Sequence, residues 1–376
     1  MDTDRIAEIF AENFTHFGEL GASLSIWRDG EKVLSLAGGW CDRQQTRPWT
    51  VSTPVLVWSA TKGPAVACVL HAMQQYGLGL DTRVAEFWPE FAAAGKANIT
   101  LGQVLSHQSG LPVLDRVASV FEHPAVAAAI AAQAPHWEPG TAHGYGPRVF
   151  GFILDEIVRR LTRKYSIETT LADYWRENIG AMLELDFWMG IPDDVQDRVA
   201  SVFPAKSAPP SDRFYTAFAT PGSFTIRAFG SPQGLHGVAT LNTREARAVS
   251  FPGFGGISTA DALGGFYAML ASGGGKLFER QTLDWMTTTL AGGDDRVLLM
   301  DTSFSAGFMR DPVDPFGKKT RCNFGPSPRA FGHPGAGGSH AFADPDTGIA
   351  FAYVMNQMEP GVLPGPKSLR LVEALY

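Results

Sequence analysis

The apolar positions of the first seventeen residues fall on one stripe. Ile6, Ile9, Phe10, Phe14 and Phe17 recur at three- and four-residue spacing and predict an amphipathic helix over 3–17. Residues 22–27 and 32–36 then partly alternate around Asp29-Gly30, the pattern of a β-hairpin. Over 59–76 small and apolar residues occupy nearly every face, which predicts a buried helix with Pro64 in its first turn and Gly77 as its stop. Strand signals fade between 85 and 200, where helical patterns cover 101–106, 124–133, 147–163 and 166–183. Residues 204–235, rich in Ser, Pro, Ala and Phe without clear period, predict a long loop or irregular cap. A helix returns at 258–272, with Ser258 or Thr259 as cap and three glycines, Gly273 to Gly275, at its end. Residues 340–343 and 348–355 flank an Asp344-Pro345-Asp346-Thr347-Gly348 turn, a second hairpin, and 367–375 close the chain as a helix.

Strands therefore gather at both ends and helices in the middle. The expected architecture is α/β plus all-α in two lobes: residues 1–58 and 245–376 build an antiparallel sheet flanked by helices, and a mostly helical lobe of 59–244 is inserted between them. A length of 376 residues is enough for two such lobes and a cleft. A net charge of −7 argues against a nucleic-acid partner, and the lack of any apolar run near ~20 residues argues against a membrane span. Met1-Asp2-Thr3-Asp4-Arg5 has no basic head before an apolar run, so no secretory signal is expected. Three scattered cysteines, Cys41, Cys68 and Cys322, fit a reducing cytoplasm rather than a disulfide framework.

Candidate chemistry begins with Ser59-x-x-Lys62. Residues three apart share a helix face. A lysine whose pKa is lowered by burial can take the proton that makes a serine hydroxyl nucleophilic, and a helix start offers free amides to a developing oxyanion. A capping serine followed by a snorkelling lysine is the plain alternative. Tyr145, in His143-Gly144-Tyr145-Gly146-Pro147, stands in a tight loop before a helix; a phenol beside an ammonium is a workable proton carrier, against the alternative of a core tyrosine under a turn. In Phe331-Gly332-His333-Pro334-Gly335-Ala336, glycines let a strand edge approach a ligand, an edge amide can meet an acyl oxygen, and His333 is placed to donate a hydrogen bond to substrate or to the tyrosine. His107 reads as a structural loop histidine. Gly-x-Ser-x-Gly, Cys-x-x-Cys, His-Glu-x-x-His and a phosphate-binding glycine loop are all missing, so neither a metal nor a nucleotide cofactor is expected.

Taken together these motifs resemble the serine β-lactamase-like superfamily, in particular its class C and penicillin-binding-protein-like branch with the family VIII carboxylesterases. The elements are Trp58-Ser59-Ala60-Thr61-Lys62; Ile99-Thr100-Leu101 with Leu105-Ser106-His107-Gln108-Ser109-Gly110-Leu111-Pro112; Trp137-Glu138-Pro139-Gly140-Thr141 followed by Tyr145; and Phe331-Gly332-His333-Pro334-Gly335, in that order. The resemblance implies a β-lactamase/transpeptidase-like fold, with Ser59 as acylated nucleophile and Lys62 and Tyr145 as its activating pair. It also implies an oxyanion hole of the Ser59 and Ala336 amides, and substrate contacts from His333 and Gly335. Two departures stand out. Tyr145-Gly146-Pro147 replaces Tyr-x-Asn, and His333-Pro334-Gly335 replaces Lys-Thr-Gly, removing an amide and a fixed positive charge suited to a β-lactam. The implied activity is hydrolysis of small-molecule carboxylic esters. Acyl transfer to a small acceptor, weak β-lactam or D-amino-acid amide hydrolysis, and a silent binding protein on the same fold are the other readings.

Overall fold

Two neighbouring strands show how the sequence divides the interior. The segments His340–Asp344 and Ile349–Met355 pair antiparallel, setting Phe342 opposite Phe351 and Ala341 and Ala343 opposite Ala352 and Ala350. Side chains alternate across a sheet. The aromatic face, with Tyr353, therefore packs with Leu24, Ile26, Ile6, Phe10 and Leu371. The alanine face packs with Leu263, Phe266 and Tyr267 of the helix Ala260–Ala271. Small residues let that helix lie close: a Cβ at Gly264 would stand 2.6 Å from Trp27 Nε1. Thr259 caps it, accepting from the Ala262 amide.

The computed structural model describes residues 1–207 and 210–376. Its strands are β1 (Gly21–Arg28), β2 (Glu31–Gly39), β3 (Val55–Leu56), β4 (Phe187–Met189), β5 (Gly256–Ser258), β6 (Ala291–Asp294), β7 (Asp301–Phe304), β8 (Met309–Arg310), β9 (Phe331–Pro334), β10 (His340–Asp344) and β11 (Ile349–Met355). Eight of them form one antiparallel sheet in the order β2-β1-β11-β10-β9-β8-β7-β6, and β3-β5-β4 form a small second sheet. The predicted terminal helices are present as Thr3–His16 and Pro366–Glu373, tied by Asn13 Nδ2 donating to the Lys367 carbonyl at 3.1 Å. The helix Lys62–Gln75 is buried from Lys62 through Met73 and packs against the helix Val149–Tyr165.

Three expectations change. The helix expected over 166–183 is only Leu171–Trp175, capped by Thr170 and followed by a wide turn to Gly180. The Thr162 hydroxyl accepts from the Thr169 amide, so polar side chains there serve caps rather than a continuous helix. The irregular 204–235 segment contains two short helices, Arg213–Ala219 and Phe224–Gly230, started by Asp212 and Ser223, which accept from the Tyr215 and Ile226 amides. Residues 208 and 209 of that segment lie outside the described residues. Its aromatics build a cap: Phe214 stacks on Phe218 and meets Phe229 edge-on, while Phe224 packs on His136 and Trp137. Finally, β4 lies in the stretch expected to lack strands, and β6 to β8 carry too few alternating apolar positions to be seen beforehand.

Candidate active site

The nucleophile candidate sits on a fixed turn. The Val57 amide donates to the Gly256 carbonyl at 2.9 Å, and the Thr61 hydroxyl donates to the Trp58 carbonyl while accepting from the Gly256 amide at 2.8 Å. These ties hold Trp58 at φ +50, a conformation L residues rarely adopt. The 3-10 turn Trp58–Thr61 carries Ser59 and runs directly into the helix Lys62–Gln75. Ser59 is half-buried, and its amide has no acceptor among the described residues, as a first-turn position predicts.

Lys62 lies one turn further on and is fully buried. Its Nζ donates to the Gly253 carbonyl at 2.6 Å and to the Pro147 carbonyl at 3.0 Å, and stands 3.4 Å from Ser59 Oγ. Burial without a counter-charge pushes its pKa well below the usual lysine range. Pro147 thus supplies a carbonyl where the familiar pattern has a side-chain amide. Tyr145, expected in a tight loop with a core tyrosine as the alternative, is buried, stacked 6.2 Å from Phe304 with its ring 4.7 Å from Lys62 Nζ. Burial raises its pKa above the ordinary phenol value, opposed by a hydrogen bond with Ser59.

His333 faces the same place from β9, its ring 5.8 Å from that of Tyr145. Nδ1 is 2.8 Å from the Pro334 carbonyl, which can only accept, so the proton resides on Nδ1. Burial and the nearby Lys62 push its pKa down to about 3. Nε2 is then a bare, buried acceptor without a partner among the described residues, the reverse of the donor expected from sequence. Gly335 presses on the nucleophile turn, where a Cβ would stand 2.2 Å from the Val57 carbonyl oxygen and 3.2 Å from Trp58 Cβ. The next residue, Ala336, is half-buried, and its amide also lacks an acceptor among the described residues.

The structure therefore joins Ser59, Lys62 and Tyr145 by direct contacts and brings His333 and Gly335 against them. Two participants, Gly253 and Asp295, escaped the sequence; a third, His107, was read there as a structural loop histidine. Gly253 contributes a carbonyl to Lys62, and a Cβ at Gly151 would stand 2.1 Å from the Gly253 amide nitrogen, so two glycines permit that approach. Asp295 and His107 hold the Tyr145 loop: Asp295 accepts from the Tyr145 amide, and His107 Nδ1 from that of Gly146. Asp295 had no sequence signal beyond a Gly-Gly-Asp-Asp turn, because its partner is 150 residues away. Open surface cavities of about 790 Å³ (around Trp175 and Trp188) and 540 Å³ (around Trp88 and His123) are lined by other residues. The chemistry is marked by contact geometry, not by cavity size.

Comparison with known proteins identifies the family and the fold. The beta-lactamase family model matches residues 10–375. The esterase/beta-lactamase LipL of Mycobacterium tuberculosis is 30% identical over 380 residues, covering 94% of this chain and 81% of the relative. A penicillin-binding protein homolog from Caulobacter crescentus is 35% identical with a TM-score of 0.85, covering 99% of this chain and 96% of that one. A family VIII carboxylesterase is 32% identical with a TM-score of 0.86 at the same coverage. D-amino acid amidase from Ochrobactrum anthropi SV3, 20% identical with a TM-score of 0.70, shares the fold. With an eight-stranded antiparallel sheet, a serine opening a buried helix and a family match over nearly its whole length, this chain belongs to the beta-lactamase family of hydrolases.

Proposed function

We propose that this protein is a serine carboxylesterase acting through a Ser59 acyl-enzyme. The observation that carries the reading is the placement of a counter-charge-free, fully buried lysine amine 3.4 Å from the Ser59 hydroxyl. The opposite shifts of the two proton carriers divide their roles. Lys62, depressed, has room for a proton; Tyr145, raised, keeps its own. Lys62 takes the Ser59 proton as Oγ bonds to the ester carbonyl carbon, and the carbonyl oxygen becomes an oxyanion between the Ser59 and Ala336 amides. The bond to the alcohol oxygen then breaks, Tyr145 supplies its proton to that leaving group, and Lys62 returns a proton to Tyr145. Water attacks the acyl-enzyme by the same route in reverse, releasing the acid and restoring Ser59.

Uncharged esters fit better than β-lactams. His333 is neutral where a lactamase has lysine, and Pro147 has no side-chain amide. The family VIII carboxylesterase and the esterase/beta-lactamase among the relatives support an ester, and the second name makes a β-lactam worth a parallel assay. The test is turnover of a short p-nitrophenyl ester and of nitrocefin by wild type and Ser59→Ala. Ester hydrolysis is expected to fall by at least ~10³-fold in the folded variant, with wild-type nitrocefin turnover far below the ester rate. An undiminished ester rate in Ser59→Ala removes the assignment. Nitrocefin turnover matching the ester shifts the substrate class.

A further inference from the structure

The sharpest unassigned feature lies behind the tyrosine. Gly144, Tyr145 and Gly146 form a loop with glycine on both sides, the arrangement with the most backbone freedom to lose. Yet its three consecutive amides are all taken. Gly144 N–H donates to the His107 carbonyl at 3.1 Å, Tyr145 N–H to both Asp295 oxygens at 3.0 and 3.1 Å, and Gly146 N–H to His107 Nδ1 at 3.3 Å. Neither acceptor belongs to the loop. His107 follows the helix Leu101–Leu105 at φ +61, and Asp295 follows β6.

We propose that Asp295 and His107 are positioning residues that clamp the Tyr145 loop and so set where the phenol hydroxyl meets Ser59. The proposal rests on the Ser59–Lys62–Tyr145 reading given above. Asp295 is fully buried, and a carboxylate in that place is costly unless its acceptor capacity is filled. Here it is filled by the Tyr145 amide, the Val297 and Leu298 amides at 2.8 Å each, and the Thr302 hydroxyl at 3.3 Å. Thr302, on β7, in turn contacts His143 Nε2 at 2.8 Å, so both ends of the His-Gly-Tyr segment are tied to the hairpin of β6 and β7. An amide in place of Asp295 keeps the shape but loses half the acceptor capacity. The same carboxylate disfavours a phenolate at Tyr145, which suits a group that must hold its proton until the alcohol leaves. On the other side the His107 ring packs edge-on to Tyr145 at 5.2 Å and to Phe304 at 4.7 Å. Its Nδ1 accepts, so its proton is on Nε2, and its ring cannot rotate without releasing Gly146.

The experiment is a double-mutant cycle. Asp295→Asn is measured in wild type and in Tyr145→Phe, with kcat and KM for a p-nitrophenyl ester, the rate of acyl-enzyme appearance by intact mass, and thermal unfolding of each protein. In the wild-type background kcat is expected to fall about 30-fold with KM within about 3-fold; in Tyr145→Phe the same change is expected to cost under about 3-fold, because the residue it positions is already gone. Equal losses in both backgrounds, or an unchanged kcat, overturn the clamp. If Asp295→Asn does not fold, Thr302→Val carries the same cycle: a loss of about 5-fold in wild type and none in Tyr145→Phe is expected, and equal losses overturn it. A Tyr145→Phe enzyme as fast as wild type overturns the underlying reading instead, so the two failures are told apart.

Discussion

Two lysines, Lys62 and Lys367, are both buried, one at the nucleophile turn and one on the C-terminal helix. Lys367 has what a buried cation needs: the Glu19 carboxylate at 3.0 Å, itself bonded by the Tyr353 hydroxyl at 2.7 Å, and the Gln357 carbonyl at 3.0 Å. Lys62 has two carbonyls and a serine hydroxyl, and no carboxylate among its hydrogen-bond partners. A third lysine separates burial from chemistry. Lys96 is also buried and bonded to backbone carbonyls of Ala93, Ala131 and Gln133, with its pKa lowered, but no hydroxyl stands among those partners. A lysine stripped of counter-charge next to a hydroxyl is able to take that group's proton. With a carboxylate beside it, the same side chain is a rivet.

Replacing each of the two lysines by methionine should break that comparison in opposite directions. Lys62→Met is expected to lower ester turnover by about 10³-fold or more, since the proton acceptor is gone. It should leave the melting temperature within a few degrees, because a buried amine with no carboxylate partner is exchanged for an apolar chain of similar size. Lys367→Met should do the reverse. It leaves Glu19 buried and unpaired, a loss of about 3–5 kcal/mol, while kcat per folded molecule stays near wild type. Turnover and thermal unfolding measured on both proteins check this. A Lys62→Met enzyme that works, or a Lys367→Met protein as stable as its parent, contradicts the division of roles.

A smaller effect is expected at the wall that faces Ser59. Gly335 has ordinary φ, so its need for glycine is steric: the Val57 carbonyl occupies the space of a Cβ. Gly335→Ala must push the Ala336 amide away from the nucleophile turn. Loss of one oxyanion donor typically lowers turnover by ~10²–10³-fold, so kcat is expected to fall by about 10²-fold with acyl-enzyme still detectable by mass. Wild-type kcat in this variant means that Ala336 is not the second donor.

These contrasts also show what the chain reveals unaided. Ser59 and Lys62 were legible because their relation is local, three residues on one buried helix start. The β10–β11 hairpin was legible because Phe and Ala alternate there without interruption. Tyr145 and His333 could be ordered by resemblance, but the buried setting of one depends on Phe304, which only the folded chain brings near, and the acceptor character of the other on a ring orientation that turns Nδ1 to the neighbouring Pro334 carbonyl. Asp295 stayed hidden for the same reason, and the 204–235 segment misled because its helices are too short to display a period.

The finest test turns the Lys62 argument to an acid. Glu359 is joined to the segment that follows Ala336 by its amide, which donates to the Gly337 carbonyl at 2.8 Å, and its Oε2 is buried with no partner among the described residues. Burial, with the Glu19 charge adding to it and Lys367 opposing, raises its pKa to about 6. A raised folded-state pKa means that the fold prefers the protonated form. The stability from that preference is complete below the ordinary carboxyl pKa near 4.5 and is lost as pH rises through about 6. Glu359→Gln, which is neutral at every pH, should therefore match wild type at pH 4.5 and melt about 2 °C higher at pH 8. Ester turnover should change by less than about 2-fold, because the backbone pairing to Gly337 is untouched. A stability difference that is the same at both pH values would show that Lys367 fully serves two acids, Glu19 and Glu359, and that only on the Lys62 side of the molecule is a charge left short of its partner.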